Sequence, residues 1–413
     1  MGKIYLIDVT NRDGVQTARL GLSKLEKTLV NMYLDQMGVY QSEFGFPTTR
    51  HESNYLNANL ELAEMGVFDS LRLEGWVRAT VSDVDEAFRL VPALKYLNLS
   101  ISTSDQMIEG KFRGTKSKKD IVAGMTRAVD RARELGAESI GVNAEDASRT
   151  NMDYLLEFAS AAKEHGAARI RYCDTLGYDN PFTIYETCKT LARQVGLGIE
   201  LHCHNDLGMA VANSLAGARG VIDGGQDAYI NTTINGIGER AGNADLLAVV
   251  LATKKSKECA TRYELGGNVD LSMSWKIAKF AAYAFGVPIP INQPGVGANA
   301  FAHESGIHAD GVLKDPENYE LYGYEELGLG EPVLVDTGRQ ICTGEYSGIS
   351  GFKHVMSQIE EEEVTFKDDE EARRVLELVR YANVESQHPL VEEELVFIAK
   401  YPDIARKLLT LNP

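Results

Sequence analysis

Short apolar runs alternate with amphipathic stretches through the first two-thirds of this chain, and no other feature of the sequence constrains its fold as strongly. Between the runs, apolar residues recur at helical steps, as they do in 119–136, where Gly136 is a normal residue to end a helix. The runs predicted as strands are 4–9, 39–45, 68–74, 95–102, 138–144, 168–174, 198–204 and 227–233. Eight β–α units at this spacing predict an α/β fold of the TIM-barrel type better than a doubly wound sheet.

The rhythm changes past about residue 255. The stretch 287–301 is rich in Pro and Gly, which is typical of a loop or linker. The tail is again helical and charged, and its densest acidic run, 359–363, is predicted to be a solvated helix face rather than a metal site. We therefore predict three parts. They are a catalytic barrel over 1–270, a linker and subdomain that contributes catalytic residues over 271–348, and a helical C-terminal subdomain over 349–413.

Composition excludes several classes of function. The chain has 413 residues and a formal net charge of −18 without a Lys/Arg-rich block, so nucleic acid is not an expected partner. No apolar run is long enough to cross a membrane, and the first residues enter a strand without a signal-peptide pattern. The five cysteines are scattered and odd in number, which indicates reduced thiols. These features predict a cytoplasmic protein that binds small molecules.

Two histidines mark the end of the seventh predicted strand. His202 and His204 are two residues apart, so in a strand they point to one face while Cys203 points to the other. Asp13, after the first strand, is the natural carboxylate to join them across a barrel mouth. Such a set suits a divalent ion such as Mg²⁺, Mn²⁺ or Zn²⁺. From the residues alone, the alternative that both histidines are satisfied core or surface residues stays open.

Polar side chains also follow the other predicted strands. Glu43, Glu74, Glu145 and Asp174 stand at or near strand ends, where active sites lie on such barrels. Arg12, beside Asp13, could hydrogen-bond an oxygen that becomes an alkoxide. A structural ion pair of Arg12 with Asp8 or Asp13 is the equal alternative.

Four segments in series resemble the homocitrate synthase and 2-isopropylmalate synthase family of the DRE-TIM metallolyases. They are DVTNRDGVQ, HCHNDLGMAVANSL, NGIGERAGNADL and AFAHESGIHADGVLK, at 8–16, 202–215, 235–246 and 300–314. The resemblance implies a TIM barrel followed by small helical subdomains, in a homodimer. It also implies a metal-dependent Claisen-type condensation of acetyl-CoA with a 2-oxo acid, followed by hydrolysis of the thioester.

The resemblance also implies roles for single residues. The metal ligands would be Asp13, His202, His204 and Asn243. Arg12 would polarise the keto group, and Gln16 would lie near the metal waters. Thr175 would hold the carboxylate of the 2-oxo acid, and Glu145 would lie near the reacting centre. Deprotonation of acetyl-CoA would be assisted by His308 and Tyr319, which reach the partner subunit's active site in this family. The alternative for His303 and His308 is that they only cap or pack their loop.

Two departures from the family pattern bear on the substrate. Asn11 and Val15 replace the usual Leu and Glu of the first motif, which affects the pocket rather than the metal ligands. The chain also ends without the regulatory domain that isopropylmalate and citramalate synthases typically carry, which favours the homocitrate synthase branch.

The distal end of a dicarboxylic 2-oxo acid needs a cation or several donors. Arg78, which could equally be a structural barrel residue, and the run 102–104 could supply them, so 2-oxoglutarate, giving homocitrate, is the expected substrate. Oxaloacetate, giving citrate by the Re-face route, is the close alternative, followed by the substrates of 2-isopropylmalate and citramalate synthases. An acyl-CoA lyase would not need the subdomain that carries His308, and a catalytically silent binding protein would not keep the metal ligands.

Overall fold

The computed structural model describes residues 2–331, 340–359 and 364–410. Residues 360–363, most of the acidic run predicted as a solvated helix face, lie outside the described residues. Within the described part of the chain, no helix is long and apolar enough to cross a membrane.

Eight parallel strands form a closed barrel, which confirms the predicted TIM-barrel fold. In chain order they are β1 (Gly2–Asp8), β2 (Gln41–Gly45), β3 (Arg72–Arg78), β4 (Tyr96–Ser102), β5 (Ser139–Glu145), β6 (Arg169–Asp174), β7 (Gly198–Cys203) and β8 (Ala228–Thr232). Each strand pairs with the next, and β1 closes the barrel by pairing with both β8 and β2. An unpredicted short strand, β9 (Tyr263–Gly266), pairs with residues 2–5 of β1, while β2 pairs with residues 7 and 8.

Helices cover the outside of the barrel and form the C-terminal region. Those that follow the barrel strands are α1 (Lys24–Gln36), α2 (Ser53–Glu64), α3 (Val81–Leu90), α4 (Asp105–Phe112), α5 (Lys118–Glu134), α6 (Met152–Glu164), α7 (Pro181–Val195), α8 (Ala210–Asp223) and α9 (Leu246–Lys255). The later ones are α10 (Cys259–Arg262), α11 (Ser274–Phe285), α12 (Gly306–Lys314), α13 (Ile349–Gln358), α14 (Asp369–Ser386), α15 (Glu392–Lys400) and α16 (Pro402–Leu408).

The third strand lies four residues later than predicted. Gly75, the residue after the predicted run 68–74, lies inside β3. A Cβ atom at Gly75 would come within 2.8 Å of Pro47 Cγ, so the missing side chain allows close packing rather than ending the strand. Glu74 is therefore buried within the strand instead of following it, and Arg78 is the last strand residue.

Alternation along each strand separates an apolar outer layer from a polar interior. On β7, Ile199, Leu201 and Cys203 belong to the apolar core beneath the helices. The two residues between them, Glu200 and His202, have the opposite orientation and face the barrel axis. The C-terminal helices share this apolar core, since side chains of α14, α15 and α16 are part of the same buried cluster. One continuous core thus supports the barrel mouth.

Close contact between α7 and α8 gives a test of this packing. A Cβ atom at Gly220 of α8 would lie 2.3 Å from the backbone oxygen of Tyr185 on α7. We expect Gly220→Ala to lower the free energy of unfolding by ~2 kcal/mol or more, because the two helix backbones must separate. Thermal and urea denaturation measure the change.

Gly124, inside α5, is the matched control, since a Cβ atom there meets nothing within 4 Å. Gly124→Ala is expected to raise stability by ~0.5–1 kcal/mol through helix propensity alone. Equal effects of the two substitutions would contradict the close α7–α8 contact.

Candidate metal centre and active site

Hydrogen bonds hold the loop after β1, which carries Asp13, against the barrel. The backbone nitrogen of Asp13 donates to Val9 O at 2.7 Å. Asn11, one of the two departures from the family pattern, is fully buried and donates from Nδ2 to Lys27 O at 2.8 Å and to Asn31 Oδ1 at 2.9 Å. These bonds tie the loop to α1.

Asp13, His202 and His204 come together at the barrel mouth. Their ligand atoms lie within 4.8 Å of one another, and all three residues are buried. Asp13 Oδ2 is 3.2 Å from His202 Nε2 and 3.8 Å from His204 Nε2. Asp13 Oδ2 nevertheless accepts no hydrogen bond in the described structure, although it is buried. Two nitrogens and a carboxylate oxygen that converge without bonding one another fit a shared divalent ion.

Asn243 supplies a further oxygen on the same side. It pairs with His204 in an isolated β-bridge, and its Nδ2 donates to Ile237 O at 3.3 Å. That donation leaves Oδ1 buried, and Oδ1 has no hydrogen-bond partner in the described structure. Gly238 is required beside it, since a Cβ atom there would lie 2.0 Å from Asn243 Nδ2. A buried amide oxygen without a donor suits a hard cation.

The protonation states of Asp13 and His204 suit metal binding. Burial alone would raise the pKa of Asp13, but the charge of Arg12 and the contact with His202 outweigh it and hold that pKa well below its usual range. Burial, together with the nearby His202, lowers the pKa of His204 to about 3. Asp13 is therefore ionised and His204 neutral at pH 7, the forms that bind metal.

Arg12 is held by two acidic side chains. Its Nε lies 2.5 Å from Glu43 Oε2 and its Nη1 3.6 Å from Asp13 Oδ1. Its guanidinium carbon is 5.5 Å from the ring centroid of Trp76, within cation–π range. Of the two ion pairs considered for Arg12, the one with Asp13 is present, whereas Asp8 accepts from Thr10 N at 2.9 Å. Arg12 thus has a fixed direction beside the three ligands.

Glu145 and Thr175 also lie at strand ends. Glu145, the last residue of β5, accepts from Ser102 and lies 2.5 and 2.7 Å from Lys111 Nζ through its two oxygens. Thr175, directly after β6, accepts from Asp146 N at 2.9 Å through Oγ1. Lys111 was not predicted, because nothing in its helix pattern distinguishes it from a solvated lysine.

Gln16 and Arg78 differ in their placement. Gln16 is exposed at the end of a 3-10 turn, Gly14–Gln16, which begins directly after Asp13. Arg78 has 72% of its side chain exposed and is directed to Asp83, with contacts of 2.7 and 2.8 Å. The guanidinium group of Arg78 is therefore paired with a neighbouring acid.

His308 and Tyr319 form a separate group in the subdomain. Their rings stack with centroids 4.1 Å apart. Gly311 makes room for this contact, since a Cβ atom there would lie 2.4 Å from the ring of Tyr319. His303 Nε2 lies 3.1 Å from Glu320 Oε1, and the His303 and His308 ring centroids are 6.3 Å apart. The structure therefore brings these residues together with one another as a second cluster.

The barrel interior below the metal site holds charges that the sequence analysis did not assign. Arg169 and Arg171 of β6 contact three carboxylates, which are Glu43, Glu74 and Glu200. Burial tends to raise the pKa of Glu200, but the two arginines lower it to about 2. Arginines two residues apart in a predicted strand are a signal that could have revealed this charged interior, because both must face the same side.

Comparison with known proteins shows the family to which this chain belongs. The HMGL-like family model matches residues 3–280, and the model for the homocitrate synthase post-HMGL domain matches residues 296–386. The chain is 70% identical over 413 residues to a citrate (Re)-synthase of Dehalococcoides mccartyi, covering 100% of this chain and 99% of that one. It is 39% identical to 2-isopropylmalate synthase 2 of Caldanaerobacter subterraneus, covering 98% of this chain and 96% of that one. It is 34% identical to homocitrate synthase 1 of Nostoc sp., with 97% and 98% covered.

Among solved structures, an HMG-CoA lyase from Acenitobacter baumannii has a TM-score of 0.56 at 18% identity and covers 73% of this chain and 97% of that chain. At that identity the likeness supports the barrel fold alone. The family models and the full-length relatives carry the assignment, and they confirm the predicted resemblance. The chain therefore belongs to the HMGL-like family of DRE-TIM enzymes, among the acyltransferase-type synthases that condense acetyl-CoA with a 2-oxo acid.

Proposed function

We propose that this enzyme condenses acetyl-CoA with oxaloacetate and hydrolyses the thioester, giving citrate and CoA, at a divalent metal centre. The observation that carries the proposal is the 70% identity to a citrate (Re)-synthase over the whole length of both chains. Oxaloacetate was the alternative in the sequence analysis, and this relative favours it over 2-oxoglutarate. Five free cysteines fit the proposed cytoplasmic setting.

Neither the side chain of Arg78 nor the length of the chain favours homocitrate as the product. Arg78, a proposed donor to the distal carboxylate, is bound to Asp83 and largely exposed. Chain length does not separate the activities either, since the 2-isopropylmalate synthase relative of Caldanaerobacter subterraneus aligns over 98% of this chain and 96% of its own. For Arg78 to hold a substrate carboxylate, it would have to leave Asp83.

The residues at the barrel mouth can bind and polarise a 2-oxo acid. Asp13, His202 and His204, with Asn243 beside them, would hold the divalent ion, which when bound supplies Lewis acidity toward the keto group. Arg12, fixed by Glu43 and Asp13, can donate to the keto oxygen as that oxygen gains negative charge.

Other residues at the mouth have positioning roles in the proposal. In the proposal, Thr175 holds the carboxylate of the 2-oxo acid, and the exposed Gln16 approaches the metal waters. Glu145, paired with Lys111, is proposed to lie near the reacting carbon.

Carbon–carbon bond formation requires a base for the thioester methyl group. In the proposal, His308 accepts a methyl proton, with Tyr319 stacked against it. The resulting enolate carbon attacks the keto carbon, whose oxygen takes up a proton and becomes a hydroxyl. Water then cleaves the thioester, which releases CoA and leaves a carboxylate.

We further propose that His308 acts in the active site of a second copy of the chain. None of the residues of α12 is buried, and Ile307 and Leu313 are 75% and 87% exposed. Exposed apolar side chains on a helix that carries a proposed base fit a contact with a partner barrel. The homodimer is therefore part of the proposal, because each site would be incomplete without its partner.

The test of the substrate is a panel of 2-oxo acids with acetyl-CoA and a divalent metal, followed by release of the CoA thiol. We expect kcat/KM for oxaloacetate to exceed that for 2-oxoglutarate, 2-oxoisovalerate and pyruvate by ~100-fold or more, since a site built for one carboxylate spacing leaves polar groups unpaired with another. The product is identified as citrate by chromatography. Preference for 2-oxoglutarate would restore homocitrate as the product, and preference for 2-oxoisovalerate would establish an isopropylmalate synthase.

A further inference from the structure

A ring of buried side chains lies beneath the metal centre, and the proposed mechanism does not use its lower half. Every link in it is 3.6 Å or shorter. The ring passes in order through His202, Asn231, Glu200, Arg171, Glu43, Arg12 and Asp13 and returns to His202. It therefore connects a proposed metal ligand with the arginine proposed to polarise the keto group.

The polarity of one link is fixed by the charges around Glu200. Its carboxylate receives Arg171 Nε at 2.5 Å and Arg169 Nε at 2.7 Å. A carboxylate between two guanidinium groups is ionised and can only accept hydrogen bonds. Asn231 Nδ2, 2.7 Å from Glu200 Oε1, must therefore be the donor of that bond. The orientation of the Asn231 amide follows from this charge pattern.

The other end of the same amide meets the metal ligand. Asn231 Oδ1 lies 3.1 Å from His202 Nδ1. Because Oδ1 only accepts, Nδ1 must carry the proton in this contact. In the neutral imidazole, which is the form that binds metal, the nitrogen without a proton is then Nε2, the atom that lies 3.2 Å from Asp13 Oδ2.

We propose that Asn231, oriented by Glu200, is the positioning residue that fixes the tautomer and ring direction of His202, so that Nε2 is ready to bind the divalent metal. Asn231 and Glu200 would not touch substrate, and their effect would pass through His202. The inference rests on the proposed metal role of His202 and adds the two residues that prepare this ligand.

The first test is Asn231→Leu, with zinc ion as the probe. We expect the Kd for zinc, measured by competition with a chelator, to rise ~10–100-fold, since residues that orient a metal-binding histidine have effects of this size. At saturating zinc, the nitrogen NMR signals of wild-type His202 should show a slowly exchanging proton on Nδ1. In the variant that proton should exchange rapidly with solvent, which a residue that only packs would not cause.

A double variant that exchanges the charges of positions 200 and 231 distinguishes an orienting role of Asn231 from a packing role. Asn231→Asp alone sets a second carboxylate beside Glu200 and should weaken zinc binding. Adding Glu200→Gln lets the new amide donate to the new carboxylate, which still accepts from His202 Nδ1. The double variant should bind zinc within a few-fold of wild type. Asn98→Leu, another fully buried asparagine of the barrel, is the control and should leave the zinc Kd unchanged.

The outcomes separate this inference from the proposed metal centre. If His202→Ala binds zinc as tightly as wild type, the metal centre itself is wrong. If His202→Ala loses zinc while Asn231→Leu keeps both the wild-type Kd and the protected Nδ1 proton, the metal centre stands and the role of Asn231 is wrong. Should Asn231→Leu fail to fold, the double variant decides: no recovery relative to Asn231→Asp would overturn the proposal.

Discussion

Replacing His202 with alanine is expected to lower kcat/KM for the condensation by about three orders of magnitude. Asp13, His202 and His204 converge within 4.8 Å, so loss of one imidazole leaves two of the three buried ligands and a cavity that admits water. A bound ion contributes several kcal/mol of charge stabilisation at the keto oxygen, and about 4 kcal/mol corresponds to a 10³-fold change in rate. Release of CoA from acetyl-CoA measures the rate, and equilibrium dialysis measures the bound metal.

His165→Ala is the matched control for this substitution. His165 ends α6, its side chain is 38% exposed, and its Nδ1 lies 2.8 Å from Asp130 Oδ2. Losing this exposed pair should change stability by less than ~1 kcal/mol and leave both metal content and turnover unchanged. Undiminished turnover of His202→Ala with wild-type metal content would overturn the assignment of the metal ligands.

The alternation of strands and helices could be predicted because it follows from the local spacing of apolar residues. Each barrel strand buries one apolar face, and alternate residues such as His202 and His204 must then share the other. The meeting of these histidines with Asp13 follows from the closure of the barrel, since all strand ends face one mouth. The convergence of these three side chains could therefore be predicted once the fold was predicted.

The exact strand bounds, the buried ion pairs and the ninth strand depend on contacts between residues far apart in the chain. The third strand was predicted four residues early because the packing of Gly75 against Pro47 has no local signal. Glu43 could be placed at a strand end, but its pairing with Arg12 and Arg171 requires the register of three strands. The strand β9 was missed because its four residues pair with only half of β1.

The identity of the 2-oxo acid was the other feature that could not be predicted from the sequence. The donors to a distal carboxylate were sought among residues near strand ends, and Arg78 was chosen because its charge fitted. The structure directs its side chain to Asp83, five residues later, which is a local contact that competes with any ligand. Charge alone therefore does not identify a specificity residue, since a nearby acid can satisfy it.

Mixed dimers of two inactive variants should regain activity if His308 acts on the partner's site. His202→Ala removes a metal ligand and His308→Ala removes the proposed base, so each homodimer should be inactive. In a purified dimer with one copy of each variant, the barrel of the His308→Ala subunit keeps its metal ligands and receives the intact His308 of the other subunit. One of two sites is then complete, so about half of the wild-type activity per dimer is expected from the symmetry of the assembly. Differently tagged subunits, expressed together and purified through both tags, allow this measurement.

The control pairs His202→Ala with Asp13→Ala. His202 Nε2 and Asp13 Oδ2 are 3.2 Å apart within one barrel, so each subunit of this mixed dimer carries a damaged metal site whatever its partner supplies. It should stay inactive, which excludes rescue by subunit mixing alone. If the mixed dimer of His202→Ala and His308→Ala is equally inactive, His308 acts within its own chain and the exposed face of α12 does not reach a second barrel. Activity near half of wild type would instead show that the base and the metal ligands of one site come from two chains.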